Sequence, residues 1–194
     1  FKSAVLAAEN VGRLFGGLQH WLVMRDACLR HVREHVLIQG RTLVVPDASA
    51  TAMLRIPRSA FILPDGTHNA VLRISPTPAG STAYAGPIDI VVVSCLAFNP
   101  CCTRLYSFDM DKTALTLESL FPGTHEGLAD AQDPDAGPRQ PLTVAIAADC
   151  QEVHDWPDSS LGYVEAAAVI TSSRLIVLGT GEVENIQIQE TENA

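Results

Sequence analysis

The run at positions 88–95, IDIVVVSC, constrains the fold of this chain more than any other segment. Its apolar residues follow one another without the alternation of a half-solvated strand. A strand covered on both faces requires this, and such strands sit inside sheets that carry helices. Segments 142–148 (LTVAIAA) and 166–170 (AAAVI) repeat the signature, and 173–178 extends or follows the last of them. Shorter apolar runs at 42–45, 61–63 and 71–74, bounded by Pro- and Gly-rich turns, predict further strands. Ala4, Ala7, Ala8, Val11, Leu14, Phe15 and Leu18 recur at helical spacing, closed by Gly16-Gly17. A second helical pattern sets Cys28, Leu29, Val32 and Val36 against Arg25, Arg33 and Glu34 and ends at Gly40; a third covers 112–120. Strands alternating with helices predict a three-layer α/β sandwich around a mostly parallel sheet.

With 194 residues and 47% apolar content, the chain supports one full core and one domain, 1–194. Segment 129–141 (ADAQDPDAGPRQP) reads as an exposed inserted loop, and 182–194 as an edge strand or a partner-binding arm. A formal charge of −9 sets the surface against a nucleic-acid backbone, so little direct contact of that kind is expected. Arg25, Arg30, Arg33 and Arg41 lie close together in sequence and read as solvated helix residues. No apolar run approaches the roughly 18 residues of a membrane helix, so no membrane partner is expected. Five cysteines, an odd number, read as reduced thiols, which points to the mitochondrial matrix or the cytoplasm. Adjacent Cys101-Cys102, and Cys95 and Cys150 at strand ends, are expected to be structural.

Segment 87–98, PIDIVVVSCLAF, resembles the strand that precedes the nucleotide loop in 5-formyltetrahydrofolate cyclo-ligases, and Arg104-Leu105 falls where that family begins its glycine-rich loop. Segment 143–152 (TVAIAADCQE) is similar to a second strand of the family, and Trp156-Pro157 with 168–171 (AVIT) to its ending. In the N-terminal half, an Ala-rich helix, a basic helix and then 40–46 (GRTLVVP) resemble the divergent methenyltetrahydrofolate synthase domain-containing branch. The resemblance spans nearly the whole domain. It implies a cyclo-ligase-like fold and an ATP-dependent cyclisation, in which the formyl oxygen of 5-formyltetrahydrofolate is phosphorylated, the ring closes and phosphate leaves.

Such a site needs main-chain amides close to phosphates, hence glycines, together with Mg²⁺ and cations. After Arg104 this chain has Tyr106, Phe108, Asp109, Asp111 and Lys112 within the loop, and no glycine. Carboxylates there oppose a triphosphate. The resemblance together with this departure implies a degenerate protein with no catalytic residue, cofactor or metal, kept as a structural or binding subunit among protein partners. Because relatives in the divergent branch are associated with RNA, a host such as a mitochondrial ribosome is implied by analogy. The alternative is an active cyclo-ligase using Mg-ATP.

Three other constellations carry chemistry. Asp109 and Asp111 with Thr113 match the Asp-x-Asp-x-Thr pattern of aspartate-based phosphatases, although the same carboxylates suit the start of a helix. His31 and His35 share the spacing of a helical metal pair, although nothing else completes such a site. Glu152, His154 and Asp155 form an acid–His–acid cluster just past a predicted strand, where α/β sheets place ligands.

Overall fold

The computed structural model describes residues 2–60, 80–106, 110–121, 140–154 and 164–186. The strands expected at 61–63 and 71–74, most of the 129–141 loop and the end of the tail lie outside these residues.

Helix α1 (Lys2–Leu14) is followed by β1 (His20–Val23), α2 (Arg30–Ile38) and β2 (Thr42–Pro46). Next come β3 (Met53–Ile56), β4 (Thr82–Tyr84) and β5 (Ile90–Ser94). Short strands β6 (Ala97–Phe98) and β7 (Arg104–Tyr106) lead to α3 (Met110–Leu120) and β8 (Leu142–Ile146). The chain closes with β9 (Val164–Glu165), β10 (Ala168–Ile170), β11 (Arg174–Val177) and β12 (Glu182–Asn185).

Nine strands form one sheet in the order β12-β11-β10-β8-β5-β1-β2-β3-β4. The interior, β10-β8-β5-β1-β2, is parallel throughout. Both flanks are antiparallel: β2-β3-β4 on one side and β10-β11-β12 on the other. The sheet is therefore mixed, which corrects the mostly parallel sheet expected from sequence. The continuous apolar runs mark only strands buried on both faces. Flanking strands such as β3 (MLRI) and β12 (EVEN), half or fully solvated, lack that signature. Strands β6, β7 and β9 form a separate three-stranded sheet.

Every residue of β5 is buried, with register Val92 opposite Val144 on one side and Val23 on the other. Each such Val or Ile contributes about 1.5–3 kcal/mol relative to exposure. Helices α1 and α2 pack on each other, α1 against β8 and β10 and α2 against β1 and β2. Asn10, buried in α1, donates through Nδ2 to the carbonyls of Thr171 and Ser172 at 3.1 Å, fastening the helix to the end of β10. Gly12 allows α1 to approach α2, since a Cβ there would overlap the His35 ring. Gly40, at φ +73°, ends α2: its amide bonds Leu37 O and the Arg41 amide bonds Val36 O, both at 3.1 Å. This pairing satisfies two orphan carbonyls and fixes where Arg41 leaves the helix.

Candidate functional site

From β1 the chain moves to β2 on one side; from β5 it moves to β8 and β10 on the other. Strand order therefore reverses between β1 and β5, and open α/β sheets bind ligands beyond the C-terminal ends of strands at such a point. Here those ends are Val23 and Ser94, followed by Met24-Arg25-Asp26 and Cys95.

The groups at this crevice bond to one another. Ser94 Oγ donates to Asp26 Oδ2 at 2.5 Å. Arg33, only 4% exposed, donates through Nη1 to the carbonyls of Met24 (2.6 Å) and Asp26 (3.0 Å). Burial lowers the Arg33 pKa to about 10, opposed by attraction to Asp26, so the guanidinium stays charged at neutral pH. Burial pushes the Cys28 thiol up, and the Asp26 carboxylate adds to the rise. Cys95 is pushed up to about 12 by burial. Both thiols are protonated at neutral pH and are poor nucleophiles there. Across the next loop, Asp47 is engaged by Ser49 Oγ at 2.7 Å and by the amides of Thr51 and Ala52, which hold its carboxyl below the usual range.

The residues singled out by sequence are dispersed. Arg104 opens β7, exposed and opposite Glu165; Tyr106 closes it, opposite Ala97. Between them Leu105 is fully buried. Asp111 and Lys112 fall in the first turn of α3, and Phe108 and Asp109 lie outside the described residues. Glu152 takes a 2.8 Å ion pair from Arg174 Nη1, whose Nε reaches Asp149 at 3.0 Å. His154 is exposed, its carbonyl accepting from Asn99 Nδ2 at 2.9 Å, and Asp155 lies outside the described residues. His31 turns to Glu34 at 3.2 Å while His35 faces Gly12, so the helical pair does not converge. Among the described residues, no group of three or more His, Cys, Asp or Glu is placed to hold a metal.

The arginine cluster divides as well. Arg30 pairs with Glu34, Arg33 is buried rather than solvated, and Arg41 stacks 5.1 Å over the Trp21 ring. Asp26 and Ser94 were missed by sequence reasoning. Each gains meaning only once β1, four residues long, is known to pair with β5. Among the described residues, no helix is long and apolar enough to cross a membrane. No protein-family model matches the chain, and no curated protein matches it.

Proposed function

We propose that the chain is a catalytically degenerate relative of the 5-formyltetrahydrofolate cyclo-ligases, built on their three-layer fold and kept as a structural or binding subunit of a larger assembly. A ribonucleoprotein such as the mitochondrial ribosome, in the mitochondrial matrix, is the host this reading favours. The observation that carries it is the span after Arg104. Strand β7 runs to Tyr106 and α3 begins at Met110, so only positions 107–109 lie between, and none is glycine. A phosphate cradle needs successive bare amides, which residues other than glycine do not offer.

The crevice at the strand reversal is consistent with the same reading, because Asp26, Ser94 and Arg33 bond to one another and to the main chain. A docking surface is available at the other extreme of the sheet. β12 ends the strand order, each of its residues is exposed, and Val183 is 47% exposed. Among the described residues no strand pairs with the outer edge of β12, and such an edge is suited to strand addition by a protein partner.

The test is purification from the native source and assay of the product. The protein should co-migrate with a stoichiometric companion and release no ADP from Mg-ATP plus 5-formyltetrahydrofolate. Turnover of the reduced folate would establish the working enzyme instead. Hydrolysis of p-nitrophenyl phosphate that disappears in Asp109→Asn would establish the phosphatase.

A further inference from the structure

The β11–β12 hairpin presents a sheet edge whose conformation is fixed from within. Gly179, at φ +89°, and Gly181, at φ +72°, turn the chain between the two strands, and the Gly179 amide bonds Pro100 O at 3.0 Å, fastening the turn to the loop after β6. Strand β12 then pairs with β11 along its whole length, Val183 opposite Ile176 and Glu184 opposite Leu175, and the Ile186 amide continues the ladder to Ser173 O at 2.7 Å. An edge ordered beforehand loses little entropy on taking up another strand.

Its side chains carry a pattern. Residues opposite one another share a face, so Glu182 and Glu184 stand with Val177 and Leu175 on one side of the sheet, and Val183 and Asn185 with Ile176 and Arg174 on the other. Neither glutamate forms an ion pair among the described residues, and Arg174, on the opposite face, is engaged by Asp149 and Glu152. Of the large apolar side chains described, Val183 is the most exposed. The complement of this edge is a strand with cations at every second position and apolar side chains between them.

A second copy of this chain fits badly. Two-fold antiparallel pairing keeps each face with itself, so a register that pairs β12 along its length sets Glu182 or Glu184 opposite a glutamate of the other copy. Like charges directly opposite destabilise a strand pair.

We propose that the outer edge of β12 takes up an extended basic segment of a protein partner, with Lys or Arg opposite Glu182 and Glu184 and an apolar residue opposite Val183. Main-chain hydrogen bonds supply the hold, and the alternation of side chains supplies the choice. The proposal rests on the reading of this edge as a protein docking surface and adds the chemistry of what docks there.

Fluorescence anisotropy and amide hydrogen exchange on the full chain provide the test, with a short acetylated peptide of alternating Lys and Val as probe. Binding should slow exchange of amides within 182–186 at least about tenfold, and an alternating Glu and Val peptide should bind at least about tenfold more weakly. The Lys and Val peptide methylated on every backbone nitrogen keeps its charge, loses its donors and should not bind. Glu182→Gln with Glu184→Gln should weaken binding of the basic peptide about fivefold, and Glu182→Lys with Glu184→Lys should invert the preference between the two peptides. All four substitutions are at exposed side chains, so the melting temperature should not move. No binding of the basic peptide, equal binding of the acidic or the methylated one, or a dimer of the chain joined at β12 overturns the proposal. A native companion that protects 182–186 through a segment without basic residues also overturns it and leaves the subunit reading in place. Binding of the basic peptide by a chain that turns over the reduced folate supports the proposal and overturns the subunit reading alone.

Discussion

The two ends of the parallel strands are built from similar residues to opposite effect. At the C-terminal end Arg33 spends its charge on main-chain carbonyls, and Asp26 takes the Ser94 hydroxyl, so the crevice is closed by its own polar groups. At the N-terminal end Arg41 stacks on Trp21 and donates to Gly12 O, while Arg55 and Arg58 are exposed beside open space. Polar residues at the first end are buried and bonded to one another and to the main chain, whereas at the second Arg55 and Arg58 are exposed and form no ion pair among the described residues.

That contrast can be broken by substitution. Arg33→Met removes a buried donor from two carbonyls and should cost about 3 kcal/mol, seen as a lower urea midpoint.

Gly12→Ala drives a methyl group into the His35 ring, and the overpacking should outweigh the gain in helix propensity, for a net loss of about 1–2 kcal/mol. His35→Ala in the same chain should recover much of the stability. Ser94→Ala, at the closed end, should cost about 1 kcal/mol by leaving Asp26 short of one donor.

The smallest effect is on pH. Burial lowers the His35 pKa from 6.5 and the neighbouring Arg41 charge lowers it further. The unfolded chain then binds the proton more readily than the folded one. This contribution to stability is complete above pH 6.5 and is lost as the pH falls below it. Thermal melts between pH 7.5 and 5.5 should show a decline that His35→Gln reduces; identical profiles for the two proteins would remove His35 from the account.

Four of the five interior strands were legible in the sequence: β5, β8 and β10 are apolar runs broken only by Ser94 and Thr143, and β2 is a β-branched run stopped by Pro46. Strand β1 and the mixed character were not. Strand β1, HWLV, opens with His and Trp and directly follows a helical pattern, while β3 and β4 are short and carry Arg55, Thr82 and Tyr84. Their pairing is a long-range property that no local period reports. Without β1 the strand reversal is invisible, and with it Asp26 and Ser94. The arginines show the same limit. Arg33 and Arg41 looked alike as members of one basic stretch, yet one is sealed under the sheet's C-terminal end and the other stacks on Trp21 near its start. Arg55 and Arg58 join Arg41 only through the β2–β3 hairpin.

The contrast between the ends of the sheet is tested most directly by urea midpoints of Arg33→Met and Arg55→Gln side by side. Arg33→Met should lower the midpoint by the equivalent of about 3 kcal/mol, and Arg55→Gln, at an exposed side chain, should leave it in place. Equal losses in the two variants would contradict it.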